Sequence, residues 1–331
     1  MADGVYEIND LTDKVFSVAV VHSMIFAFVN SNRGEKDYNV RVNMEPTLFG
    51  RVTSMPISFF REQEGFAFNI RLFAVADLLA KLNEDSVRLE TVLDIRQAIK
   101  TGDDERYIFD KVKNKRCRPI LRGKDVRRYS IVDPGLYVDY GGHLACPRSS
   151  DIFEQPKILI REAGERITVS LDTQNFYVMS SLYNAILRDD RFDLRYILGL
   201  INSKLFQFLM WKIALEKTQG AFAKAKIFHY YALPVKNIPR REQHALCVLV
   251  DQVLVAKTKD CEADTAALES QIDQLVYKLY GLTEEEIAIV EGRGKTAATK
   301  VEPAAKPSRR RSTRPAIAAD SPRAEDDEEL E

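Results

Sequence analysis

The sequence has 331 residues, 48 Lys and Arg against 49 Asp and Glu, a formal net charge of −1 at pH 7 and 45% hydrophobic residues. That is enough chain for one large or two medium cores, and no apolar run approaches the roughly 18 residues of a membrane span. The four cysteines (Cys117, Cys146, Cys247, Cys261) are scattered without a C-x-x-C pair, which suggests neither a zinc site nor a disulfide framework and fits a reduced cytoplasm.

The start, MADGVYEINDLTDKVF, is acidic and lacks the apolar core of a secretory signal. Residues 15–29, VFSVAVVHSMIFAFV, are β-branched and aromatic and predict one or two buried strands. NSNRGEKDYN reads as a turn and VRVNM as a short strand. SVRLETVLDIRQAIK, 86–100, has a helical pattern, followed by TGDD and a strand at RYIFDKV. LYVDY, KILIRE, RITVSL and FYVM are further strand candidates, punctuated by Gly141-Gly142, Pro147 and Gly164. Residues 193–215 predict one long, largely apolar helix, and LPVKNIP breaks it.

From 241 to 280 a helical stretch carries a seam at Leu268, Ile272, Leu275 and Leu279, a 4-3-4 spacing that keeps one face apolar. Gly281 is a candidate C-cap, and Thr283 with Glu286 forms a capping box for a last short helix. Residues 293–331 turn to Ala, Pro and charge, with a basic cluster at Arg309–Arg311 and an acidic end; this predicts a disordered tail, either solubilising or a weak electrostatic arm.

Catalytic signatures are missing. The sequence has no P-loop, G-x-G-x-x-G, H-E-x-x-H, D-x-D-x-D-G or G-x-S-x-G motif. His22, His143, His229 and His244 stand alone, and Asp103-Asp104 and Asp189-Asp190 sit in polar turns. No catalytic residue and no metal site is assigned.

Charge gathers locally instead. Lys111 to Arg128 holds nine basic residues and one acid, Asp125. Such a density without local balancing acids suits a polyanion, because each Lys or Arg on a phosphate releases condensed counterions. Arg also reads guanine edges bidentately, whereas Lys is a point charge. Pro119, Ile120, Leu121 and Gly123 give the segment a defined loop-and-strand shape, and Tyr129 either stacks on a ligand or packs beneath the loop. The bland alternative is a charged hairpin on a globular surface. A second run, EKTQGAFAKAKIFHYYALPV, sets Lys217, Lys224 and Lys226 among Phe222, Phe228, Tyr230 and Tyr231, a composition that suits a nucleic-acid groove or, equally, aromatic packing beside solvated lysines.

These residues carry a resemblance. RPILRGKDVRRY (118–129), FEQPKILIRE (153–162), LRYILGLINSKLFQFLM (194–210) and YYALPVKNIP (230–239) resemble, in order and spacing, four segments of the TaqI-type C-terminal specificity domain. That domain is the target-recognition region of bacterial adenine-specific DNA methyltransferases and fused restriction–modification enzymes. DKVFSVAVVHSMIFAFVNS, 13–31, is similar to the last hairpin of the methyltransferase fold. The family's N-P-P-Y or N-P-P-F tetrapeptide and its S-adenosylmethionine-gripping strand end do not occur in the sequence.

The resemblance implies an α+β fold: remnant strands of a methyltransferase sheet over 1–84, a mixed α/β DNA target-recognition domain over 85–240, a helical arm over 241–292 and the tail from 293. It implies no catalysis by this chain alone and no cofactor on it, with S-adenosylmethionine on a catalytic methyltransferase partner or domain that flips the adenine. Double-stranded DNA is the other expected partner. Contact candidates are Arg116, Arg118, Arg122, Lys124, Arg127, Arg128 and Tyr129, with Lys204, and with Lys217, Lys224 and Lys226 as a second wall. Asp125 and Tyr129 are alternatively loop-shaping, with Asp125 pairing an arginine, and Asn202 and Ser203 structural. The competing reading is a non-catalytic interaction module that assembles through its C-terminal helices.

Overall fold

The computed structural model describes residues 4–12, 23–28, 38–43, 52–61, 75–164, 166–213 and 225–293. Its architecture is α+β, as expected. Strands β1 (Val5–Thr12), β2 (Ser23–Phe28), β3 (Asn39–Asn43) and β4 (Val52–Pro56) form a sheet in the order β2-β1-β3-β4, with β1 antiparallel to β2 and parallel to β3. Period-two alternation puts Val40 and Val42 inward. They join Ile8, Met55 and, from helix α1 (Ile57–Arg61), Ile57 and Phe60 in a small core.

Within the run predicted to be buried, residues 15–22 lie outside the described residues. Over its described part the run differs from expectation: β2, an edge strand of this sheet, leaves Ile25 at 53% and Phe28 at 70% exposed. Most of the turn read at residues 30–39 also lies outside the described residues.

After helix α2 (Ala76–Asn83) come β5 (Ser86–Arg88), the single turn α3 (Leu89–Val92) and β6 (Leu93–Gln97). The helix predicted over 86–100 is therefore corrected to strand, turn and strand. Its local periodicity yields to long-range ladders, a case of tertiary pairing overriding propensity. RYIFDKV likewise splits into α4 (Asp104–Tyr107), capped by the Asp103 carboxylate, and a two-residue β7 (Ile108–Phe109).

Strands β8 (Cys117–Leu121), β9 (Val126–Arg127), β10 (Ser130–Ile131), β11 (Tyr137–Asp139), β12 (Lys157–Arg161), β13 (Val169–Asp172), β14 (Tyr177–Val178) and β15 (Leu182–Leu187) follow. Two four-stranded sheets result, β14-β8-β11-β7 and β13-β12-β15-β6, and β9 and β10 pair as a separate two-stranded ribbon. Ile120, Leu121, Phe153, Leu159, Tyr177 and Leu182 belong to one core that both sheets share. Lys157 of the KILIRE strand is wholly buried, donating to Asp172 at 2.5 Å and to the Phe153 carbonyl at 2.7 Å.

The long helix predicted over 193–215 is two, α5 (Leu194–Asn202) and α6 (Lys204–Ile213). Ser203 breaks it in an extended conformation; its Oγ donates to the Leu200 carbonyl and accepts the Phe206 N–H. Then come α7 (Ile227–Tyr231), β16 (Pro234–Lys236), which pairs with β5, and helices α8 (Arg240–Lys259), α9 (Ala266–Leu279) and α10 (Glu284–Val290). The Gly281 cap (φ 63°) and the Thr283–Glu286 capping box form as expected. The α9 seam is rotated from the predicted one: Ile272, Val276 and Tyr277 are buried, while Leu268, Leu275 and Leu279 sit at the margin.

One core contains Ile95, Ile160 and Val169 from the β6-containing sheet, Ile197 and Leu200 from α5, and Leu246, Val250 and Val276 from the C-terminal helices. The arm expected from 241 thus shares its core with the segment before it. Among the described residues no helix is long and apolar enough to cross a membrane. The tail predicted from 293 lies outside the described residues, Arg293 excepted.

Candidate nucleic-acid interface

The basic loop leaves β8, which is held between antiparallel β11 and parallel β14. Residues Gly123–Asp125 make one tight turn. The Arg122 N–H donates to the Asp125 carboxylate at 2.7 Å, and the Asp125 N–H returns to the Arg122 carbonyl at 3.0 Å. The Gly123 N–H donates to Ser181 Oγ at 2.9 Å, and the Val132 N–H to the Asp125 carbonyl. Asp125 is buried. It shapes the loop, as one reading held, but through a backbone amide and not by pairing an arginine.

Tyr129 sits in the left-handed region (φ 58°) and is only 1% exposed, with its N–H on the Val169 carbonyl. A non-glycine residue there costs on the order of 1–3 kcal/mol, held by the surrounding packing. Burial pushes its phenol pKa well up. The ring packs beneath the loop, in line with the second of its two readings.

The arginines are already partnered. Arg116 grips Asp139 bidentately at 2.7 and 2.8 Å, which holds that carboxyl below its usual range. Arg122 lies 3.7 Å from Asp104, and Arg127 pairs with Glu262. Arg128 donates to Glu269, to the Asn202 carbonyl and to Asn202 Oδ1. The balancing acids missing from the local sequence come from positions 104, 139, 262 and 269, brought in by the fold. Partnering still differs in kind. The side chains of Arg116, Arg127 and Arg122 remain 61%, 46% and 36% exposed, so water or a phosphate can compete for them, whereas Arg128 at 18% is an internal strut. Arg118 folds back onto the Lys115 and Cys117 carbonyls. Lys124 is exposed and has no ion pair among the described residues.

The remaining candidates separate. Lys204 begins α6 and reaches Glu291 at 3.0 Å, and its N–H is taken by Asp273. Lys204 and Arg128 both line an open groove of about 630 Å³, where Glu262, Glu269 and Asp273 oppose them. Asn202 is structural: it donates to the Val169 carbonyl while accepting from Arg128. Lys226 stands half-buried at the start of α7, its N–H on His229 Nδ1. Lys217 and Lys224 lie outside the described residues.

Lys111, Lys113 and Lys115 contribute to the charge of the segment but are not among the contact candidates read from the sequence. The structure puts all three on an exposed stretch between β7 and β8. Their alternation in DKVKNKR was the available signal.

Residues 118–235 match the family model of the TaqI-like C-terminal specificity domain. No curated protein matches the sequence. Among solved structures, the type IIL restriction–modification enzyme MmeI in complex with DNA is similar at 12% identity and a TM-score of 0.48, covering 86% of this chain and 44% of that one. The type IIG restriction endonuclease BpuSI gives 11% identity and 0.43, over 84% and 43%. The HsdS subunit from Thermoanaerobacter tengcongensis gives 15% and 0.36, over 63% and 51%. This chain therefore spans less than half the length of MmeI or BpuSI.

The match to the TaqI-like specificity domain is confined to residues 118–235 and begins inside the basic segment, at Arg118.

Proposed function

We propose that this chain binds duplex DNA and reads its sequence on behalf of an adenine-specific methyltransferase of a bacterial restriction–modification system, in the cytoplasm. The chemistry belongs to a catalytic part that carries S-adenosylmethionine, on a partner chain or elsewhere in a longer one. The observation that carries this reading is the specificity-domain match over residues 118–235, which opens on a loop whose backbone is fixed by Asp125 and Ser181 while Lys124 and Arg127 point to solvent. A loop held in one shape loses less conformational entropy on binding than a basic tail does.

Arg122, Lys124 and Arg127 are the loop's DNA contacts in this proposal, with Arg116 and Arg118 flanking them. The exposed pairs exchange a carboxylate for a phosphate at little cost, since surface ion pairs contribute only about 0–1 kcal/mol. Lys226 adds a second contact, with Lys217 and Lys224 on the same run. Residues 1–84 are proposed as the end of the methyltransferase fold and the C-terminal helices as the arm that meets the catalytic part. Val248 and Val255, exposed one heptad apart on α8, favour an assembly role for that arm.

The test is duplex binding followed by fluorescence anisotropy across a salt series, comparing the parent with a triple variant Arg122→Ala, Lys124→Ala and Arg127→Ala. The proposal predicts weaker binding and a salt slope flatter by about 0.9 for each phosphate contact removed. Equal affinity and equal slope would remove the loop from the DNA surface.

A further inference from the structure

The stretch Asp110–Arg116 lies before the first residue of the specificity-domain match, so nothing in that match gives it a role. Its path is set by the sheet. Ile108 and Arg118 both pair with Val138, and Phe109 and Pro119 both pair with Tyr137, so β7 and β8 run in the same direction on either side of β11. The connecting residues must return along the sheet to start β8 opposite Asp139. They form an arch, and every residue from 110 to 116 is exposed.

The arch is built and not slack. The Arg116 N–H donates to Asn114 Oδ1 at 2.8 Å, and the Cys117 N–H to the Asn114 carbonyl at 3.2 Å. Arg116 anchors one foot on Asp139, and Arg118 braces the Lys115 carbonyl. Lys113 Nζ stands 3.6 Å from the centroid of the Phe109 ring, which fixes its position. Among the described residues none of Lys111, Lys113 and Lys115 has an acidic partner, in contrast to four of the arginines that follow. Evenly spaced lysines left unneutralised on a braced arch are what an extended anion fits. Four residues of chain span at most about 14 Å, and a DNA strand offers a phosphate every 3.4 Å or so of helix axis. The lysines can therefore cover successive phosphates of one strand.

We infer that the arch Asp110–Arg116 is a further DNA-contacting element, a backbone clamp in which Lys111, Lys113 and Lys115 hold phosphates of the duplex independently of sequence. The inference rests on the DNA-reading function proposed above and adds an element to it. Lysines without base-edge geometry supply affinity and register, and the reading of bases stays with the loop after β8.

The experiment uses the full chain and a mixed-sequence duplex in a salt series, with three proteins: the parent, the triple variant Lys111→Ala, Lys113→Ala, Lys115→Ala, and the uncharged control Val112→Ser at the exposed position between the first two lysines. The substitutions are at exposed sites, and circular dichroism confirms folding. The triple variant should lose about 2.7 units of salt slope. Its deficit against the parent should then shrink about 40-fold between 50 and 200 mM salt, while Val112→Ser keeps the parental slope. If the parent binds with a clear slope and the triple variant matches it, the arch is not a clamp and the DNA-reading function stands. If the parent fails to bind duplex at low salt, both fall together.

Discussion

Arg128 Nε lies 2.5 Å from Glu269 Oε2, and through that contact the loop after β8 is tied to helix α9, 141 residues away in sequence. The same guanidinium holds the Asn202 carbonyl at the break between α5 and α6. One arginine of the basic segment thus joins three elements, and the adjacent Arg127 points out to solvent. Adjacent arginines have separate jobs because the strand β9 that leads into Arg128 turns alternate side chains to opposite faces.

Removing that strut should cost stability and leave the salt response of DNA binding alone. Arg128→Ala leaves Glu269, in a half-buried site, with only the Thr265 hydroxyl as a partner and removes the guanidinium from the Asn202 carbonyl. We expect a loss of about 1–3 kcal/mol in urea unfolding and an unchanged salt slope. A flatter slope with undiminished stability would make Arg128 a phosphate contact.

Helices α5 and α8 meet at Gly199, where a Cβ would come within 2.9 Å of Val250 Cγ2 and 3.2 Å of Leu246 Cγ. Gly199→Ala gains helix propensity of about 1 kcal/mol, but overpacking costs about 1–3 kcal/mol. The melting temperature should fall. A rise would show that α8 can move away freely.

The buried pair of Lys157 and Asp172 leads to a sharper test. Desolvation lowers the Lys157 pKa, and Asp172 opposes it. Asp172 also accepts the Gln174 and Phe176 N–H groups. Lys157→Ala strands that carboxylate and should cost about 3–5 kcal/mol, read as a lower urea midpoint. A cost under 1 kcal/mol would mean the site takes in water.

Asp193 caps α5 and is held down to about 2 by its hydrogen bonds to Arg195, with Arg240 adding a favourable field. The folded pKa is below the unfolded one, so this stabilisation is complete above about pH 4 and is lost as pH falls toward 2. Its size is about 1–2 kcal/mol. Asp193→Asn should flatten the acid limb of the stability curve in that window; an unchanged limb would assign the acid response to other carboxylates.

Much of the site was legible in sequence and part was not. The glycine cap at 281, the capping box at 283–286 and the strands at 137, 157, 169 and 177 follow from local chemistry, and the structure has them. The helix read over 86–100 failed because its fate is decided by β15 and β16, roughly 90 and 150 residues on. The arginines failed in the same way. Asp104, Asp139, Glu262 and Glu269 neutralise them from outside the segment, and no local pattern shows acids arriving from that far. What survives from the charge argument is its lysines, 111, 113, 115 and 124, together with the more exposed arginines.

The central claim is that this chain reads DNA sequence, and the most direct measurement is selection by the purified full chain from a randomised duplex library at about physiological salt. The account predicts enrichment of one short sequence that Arg122→Ala, Lys124→Ala and Arg127→Ala abolish while residual, strongly salt-dependent binding persists. Recovery of duplexes with no shared sequence, equally by parent and variant, would contradict it.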